Sequence, residues 1–294
     1  MNATSWIDRD AYPFQSHYFD ADGGRMHYVD EGQGRPLVMV HGTPTWSFLY
    51  RKLIKDLSGE YRIIVPDHIG FGLSDKPPVW PYRPQDHARN LKALISHLGL
   101  LDITLVVHDF GGPIGLSYAI HHPDNVRALV LFNTFLWSLR GDPAFERSNR
   151  MFNNRFGKWL YRKQNFSARM IMRMAWGKHR PITPQIHRHY TQPFANPDAR
   201  MGTVGFLESL LGESEWYEQI WSRRENIAGK PALLLWGLRD IAFKEKELAR
   251  WKGLFANEKV VRYPNVGHFV PDEAGEEAAA EIRAFLKSTE EAAL

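Results

Sequence analysis

The chain of 294 residues contains no cysteine. That excludes a disulfide scaffold, a zinc–thiolate site, an iron–sulfur cluster and a cysteine nucleophile. It is compatible with a reducing compartment, and the expected location is cytoplasmic. The chain also lacks any run of about 18 apolar residues, so no membrane span is expected. The first ten residues, Met1 to Asp10, are polar and do not read as a secretory signal. Strong charge of either sign is missing as well. Lys and Arg number 37 against 33 Asp and Glu, a net +4 that is too mild to argue for a nucleic-acid partner. No Gly-rich loop follows a strand in the dinucleotide arrangement, so no such cofactor is expected. His121 with His122, and His187 with His189, could pair on a metal. No carboxylate or further histidine completes either pattern, so no metal is expected. What is present, 44% apolar and 24% charged residues, is the composition of an ordinary globular protein long enough to bury a large core.

The mild net charge hides an uneven distribution. From Arg140 to Tyr190 there are 12 Lys or Arg and 2 acids, so this stretch carries +10 and the remainder −6. The stretch reads as a solvated basic face, with an anionic substrate or a membrane surface as the alternatives.

Short β-rich runs alternate with helical patterns. Residues 17–22 and 25–31 alternate in polarity around Gly23 and Gly24, which predicts a hairpin. Unbroken apolar runs follow at 36–40, 61–65, 103–107, 127–132, 232–236 and 260–263, as expected of strands covered on both faces in a parallel sheet. Helices are expected at 46–57, 84–98, 113–121, 244–255 and 275–287. The pattern is that of an α/β domain with a mostly parallel eight-stranded sheet. Residues 135–224 break it. They show helical segments, aromatics and Met151, Met170, Met172 and Met174, but no clear strand. Inserted between two strands, they are expected to form a helical cap over a core of 1–134 and 225–294.

The most informative segment is Leu105 to Gly115. An apolar strand ends at His108 and Asp109, and Gly111 and Gly112 open a helix. This is the layout of a nucleophile elbow, a sharp strand-to-helix turn that presents one side chain to a cleft. The side chain is that of Asp109, a carboxylate already ionised at neutral pH. Its attack at carbon gives an ester to the enzyme. The partners follow in the chain order of this fold's triad, nucleophile, acid, histidine. Asp240 lies four residues past Trp236, at the end of a strand. His268 lies in a Gly-containing loop after the last strand. Asp240 would orient the imidazole and stabilise its cation, and His268 would activate water against the ester. The matching place after the preceding strand is held by the uncharged Asn133 and Thr134, which favours Asp240 as the acid. After the third strand, His41-Gly42-Thr43-Pro44 offers the oxyanion side. The backbone N–H groups of Thr43 and Phe110 would face the same cavity.

Residues 41–51, 66–76, 108–112 and 236–240, with the cap segment 190–200, resemble the haloalkane dehalogenases, close relatives of the α/β-hydrolase-fold epoxide hydrolases. The resemblance implies the α/β-hydrolase fold, a hydrolase with Asp109, His268 and Asp240 as catalytic residues, and a small apolar organic substrate with water. That family holds the departing halide with two side-chain N–H donors, usually a tryptophan after the nucleophile and either an asparagine after the His-Gly pair or a cap tryptophan. Here those places hold Phe110 and Thr43. Trp159, Trp176, Trp216 and Trp221 are candidates to make up the deficit. An epoxide hydrolase would need acidic donors instead, for which Tyr161, Tyr190 and Tyr217 are candidates, and a catalytically silent ligand-binding protein on the same scaffold is the alternative of another class.

Overall fold

The computed structural model describes residues 5–291, so the first four residues of the polar N-terminal segment lie outside it. Eight strands form one sheet: β1 (His17–Ala21), β2 (Gly24–Glu31), β3 (Pro36–Val40), β4 (Arg62–Pro66), β5 (Ile103–Asp109), β6 (Val126–Thr134), β7 (Ala232–Gly237) and β8 (Glu258–Tyr263). Their spatial order is β1-β2-β4-β3-β5-β6-β7-β8. The hairpin β1–β2 is antiparallel and β2 runs antiparallel to β4. Every other pairing is parallel. Gly23, at φ +92°, takes the left-handed turn conformation that closes the hairpin.

The unbroken apolar runs have a direct cause. Val38, Val40, Leu105, Val107, Leu234 and Trp236 face one core layer, and Leu37, Met39, Val106, Leu233 and Leu235 face the other. The first layer is closed by α2 (Pro84–His97) and α3 (Gly111–His121). The second is closed by α1 (Arg51–Leu57) and the C-terminal helix Gly275–Glu291. Burying each large apolar side chain contributes roughly 1.5–3 kcal/mol, so both layers bind the helices firmly.

Three expectations shift. The helix expected from Trp46 begins as a 3-10 turn at Ser47–Tyr50, because Trp46 is extended at φ −158°. The helix expected to reach Phe255 spans Glu245–Trp251, since Lys252 turns extended. The β8 run is only half-buried, because β8 is the edge strand.

Chain order reverses beside β3. The chain passes from β3 to β4 on one side and returns as β5 on the other. The carboxyl ends of β3 and β5 therefore flank the switch point where open α/β sheets bind ligands. Between Thr134 and Ala232 no strand occurs among the described residues. The helices α4 (Pro143–Phe152), α5 (Arg155–Gln164), α6 (Met172–Ala175), α7 (Pro184–Thr191) and α8 (Met201–Gly212) fall there, with a π-helical stretch at Ser167–Ile171.

Candidate active site

Asp109 is the last residue of β5 and stands in the left-handed region at φ +53°. Phe110 is already helical, and α3 begins at Gly111. The bend needs small neighbours. A Cβ on Gly111 would overlap the Val40 carbonyl, and one on Gly42 would overlap the Asp109 carboxylate. Thr134 Oγ1 donates to the Asp109 carbonyl at 2.5 Å and pins the turn to β6.

The Asp109 carboxylate is buried and aimed at two backbone donors. Thr43 N–H reaches Oδ2 at 2.7 Å, and the Phe110 N–H also bonds the carboxylate. Burial raises the Asp109 pKa above the ordinary 3.8, while His268 and these two N–H groups pull it back. The backbone donors expected at Thr43 and Phe110 thus converge on one carboxylate.

His268 follows β8. Its Nδ1 lies 2.7 Å from Asp240 Oδ2, and its Nε2 lies 3.7 Å from Asp109 Oδ1. Burial alone would push the imidazole below 6.5. The Asp240 carboxylate, its hydrogen bond and the Asp109 charge outweigh that and lift it to about 9. The fold therefore holds the proton on His268. The stability gained is full below about pH 6.5, the unfolded value, and is lost as pH rises through about 9. Thermal melts should fall further between about pH 6.5 and about pH 9.5 in the parent than in His268→Gln. Equal losses would show that the proton is not held this way.

Asp240 sits in the turn after β7. Its Oδ1 accepts from the Ala242 N–H at 2.7 Å, and its Oδ2 accepts from Asn133 Nδ2 at 2.9 Å as well as from His268. Asn133 also takes the Gly237 N–H on its Oδ1 at 2.8 Å. Asn133, the uncharged residue at the matching place, thus holds Asp240. Two more residues secure the histidine. His108 Nε2 donates to the His268 carbonyl at 2.8 Å. Glu273 accepts the Gly267 N–H on both oxygens and the Gly177 N–H at 2.8 Å, tying the histidine loop to the chain leaving α6. Burial lifts Glu273 to about 7 against those N–H donors. The partners of His108 and Glu273 lie elsewhere in the chain, and no local motif marks either residue.

Asp109, His268 and Thr43 form the floor of a cavity of about 330 Å³. Phe145 and Met151 of α4, Tyr161 of α5, Ile171, Met174, Phe206 and Leu207 close over it. Phe110 stacks on Phe206, centroids 4.5 Å apart and 12° between planes, and forms an apolar wall. Thr43 Oγ1 is buried with no hydrogen-bond partner among the described residues, which leaves it as a donor. None of the four candidate tryptophans lines the cavity. Trp176 Nε1 donates to the Arg180 carbonyl at 2.6 Å, Trp221 packs on Trp137 and Trp251, and Trp159 is exposed. Among the described lining residues His268 alone carries a side-chain N–H. Of the three tyrosines only Tyr161 enters the cavity. Tyr190 donates to Asp272 and Tyr217 to the Ser209 carbonyl.

The remaining histidine candidates are engaged elsewhere. His121 Nδ1 bonds the Ser117 carbonyl, His187 bonds Arg173 and the Ala168 carbonyl, and His189 bonds the Asp8 N–H and the Gln185 carbonyl. Among the described residues no three His, Asp or Glu side chains gather to hold a metal ion, and no helix is long and apolar enough to cross a membrane.

Residues 35–274 match the alpha/beta hydrolase fold family. Haloalkane dehalogenase 2 of Mycobacterium bovis is 35% identical over 94% of this chain and 96% of its own length. A cis-3-alkyl-4-alkyloxetan-2-one decarboxylase of Xanthomonas campestris is 36% identical over 94% of this chain and 97% of its own length. The crystal structure of a haloalkane dehalogenase from Agrobacterium tumefaciens superposes with a TM-score of 0.85 at 25% identity, covering 96% of this chain and 100% of that one.

Proposed function

The chain belongs to the α/β-hydrolase fold family and groups within it with the haloalkane dehalogenases, and from that premise we propose that it cleaves a carbon–halogen bond through an ester on Asp109. The observation that carries the proposal is the line Asp109–His268–Asp240 on the floor of an apolar cavity. An Asp109 oxygen attacks the carbon, and the carbon–halogen bond breaks with its electron pair leaving on the halide. Ester formation removes the Asp109 charge, one of the influences that hold His268 protonated. The His268 pKa then falls, and the imidazole releases its proton to solvent and stands neutral when a base is needed. It takes a proton from water, whose oxygen adds to the ester carbonyl. The Thr43 and Phe110 N–H groups hold the oxyanion, and Asp240 holds the imidazolium. Collapse releases the alcohol and restores Asp109. Residues 135–224 act as the cap, a small organic substrate and water are the reactants, and the site of action is cytoplasmic.

The leaving group is served sparingly. With Phe110 and Thr43 in place of two N–H donors, the halide meets a hydroxyl and the edge of an apolar wall. A hydrogen bond to a charged partner contributes about 1.5–3 kcal/mol, so a missing donor lowers the rate on the order of 10- to 150-fold.

That deficit favours a second reading, supported also by the decarboxylase relative. Attack of Asp109 on the ring carbon bearing oxygen in a cis-3-alkyl-4-alkyloxetan-2-one breaks the ring C–O bond and leaves a carboxylate on the same molecule. Loss of carbon dioxide moves that electron pair into a new carbon–carbon double bond and expels Asp109. This route needs no halide donors and no water. An epoxide hydrolase is less well served, since Tyr161 alone could protonate an opening ring.

One variant separates the three. His268→Gln, incubated with 1,2-dibromoethane, an aryl epoxide or a dialkyl oxetanone, is weighed intact. A stable adduct on Asp109 with bromide release is the expected result. An adduct from the epoxide alone, or alkene formed from the oxetanone with no adduct from the bromide, would replace the dehalogenase reading. No adduct and no product from any of them would overturn covalent catalysis by Asp109.

A further inference from the structure

We propose that the outer face of the helices over the cavity docks on an anionic lipid bilayer. Among the described residues ten large hydrophobic side chains are exposed, and five of them, Met151, Phe156, Trp159, Met170 and Met174, fall within 24 consecutive residues. On α5, Phe156 and Trp159 stand one turn apart, 66% and 47% exposed, with ring centroids 5.9 Å apart. The opposite side of the same helix buries Gly157 and Tyr161. A helix that faces a cavity with Tyr161 and solvent with two bare aromatics has apolar surface on both sides, and only one side is covered.

Cations are interspersed with these apolar side chains along the chain. Arg147, Arg150, Arg155, Lys163, Arg169, Arg173, Lys178 and Arg188 make no ion pair with a carboxylate among the described residues, whereas Lys158, Arg162 and Arg180 do. Three of the unpaired arginines, Arg169, Arg173 and Arg188, line a surface groove of about 470 Å³ beside Met170 and His187. His187 Nδ1 faces Arg173, and its Nε2 bonds the Ala168 carbonyl. The groove offers an anion several donors and no carboxylate.

Exposed Trp, Phe and Met amid Lys and Arg suit the headgroup region of a bilayer, where rings enter the interface and cations meet lipid phosphate. Charge argues against a second copy as the occupant, because a two-fold contact would bring the unpaired cations of both copies together, and the exposed carboxylates nearby are already paired within each copy. Two of the five exposed apolar side chains also border the reaction cavity. Met151 and Met174, 57% and 59% exposed, line the cavity from the inside as well. A lipophilic substrate dissolved in the bilayer would reach Asp109 without crossing water. The proposal rests on the cavity and not on the leaving group.

The test is co-sedimentation with phosphatidylcholine vesicles and with vesicles that also contain phosphatidylglycerol, at low and at high salt. Binding to the anionic vesicles should exceed binding to the neutral ones at least tenfold and weaken with salt. Phe156→Ser with Trp159→Ser, and separately Arg169→Glu with Arg188→Glu, should each lower it at least tenfold with the melting temperature unchanged. No preference for anionic vesicles, or binding indifferent to both double variants, would overturn the proposal. So would a protein that ignores vesicles but sediments as a multimer that either double variant dissociates, since a second copy would then cover the face.

Discussion

Asp109→Ala should abolish turnover, with a loss on the order of 10⁵- to 10⁶-fold in kcat. No other carboxylate can take its place. Asp240 is held by Asn133, the Ala242 N–H and His268, on the far side of the imidazole from Asp109. The variant should also lower the His268 pKa below about 9, because the Asp109 charge helps to lift it. Turnover by initial rates and His268 titration by NMR would read both effects. A kcat reduced less than about a hundredfold would mean that the reaction does not pass through an ester on this residue. An unchanged titration would remove the coupling by which ester formation readies the base.

The next largest effect is expected of Asp240→Asn, a fall on the order of 10⁴-fold. The amide is close in size to the carboxylate but cannot stabilise an imidazolium. It would also set an NH₂ group beside the donors that now converge on Asp240, namely Asn133 Nδ2, the Ala242 N–H and His268 Nδ1. Burial, which already opposes the charged form, would then dominate and drive the His268 pKa down. A pH–rate profile whose histidine limb stays near pH 9 in the variant would refute this role for Asp240. Such an outcome would leave the Asp109 prediction standing, so the two experiments fail separately.

The floor of the cavity was legible because Asp109 ends a strand, while Thr43 and His268 stand in turns that follow strands. Asp109, Asp240 and His268 follow apolar runs that sequence periodicity exposes, and the Gly111-Gly112 pair marks the sharp turn. The supporting residues were not legible. Asn133 was weighed only as a place where an acid could stand, yet it meets Asp240 across 107 residues of chain. Glu273 reads as one acid among several near the last helix, and burial alone distinguishes it. The cap tryptophans misled for a related reason. An indole is equally suited to a cavity and to packing, and Trp176 and Trp221 are absorbed by neighbours that no sequence spacing announces. Tyr161 differs from Tyr190 and Tyr217 only in that its hydroxyl found no backbone or carboxylate partner among the described residues.

The crowding beneath Asp109 partitions the protein's capacity to change. At Gly42 and Gly111 even a methyl group collides with the Asp109 carboxylate or the Val40 carbonyl. Random mutagenesis there would yield dead or misfolded progeny. Met151, Ile171, Met174, Leu207 and Leu210 are side chains of helical segments, with room on the cavity side to lengthen, shorten or take on polarity. With Asp109 as the proposed nucleophile, variation in substrate range is expected to be confined to the roof. A combinatorial library at those five positions should recover new specificities while one invariant reaction persists underneath.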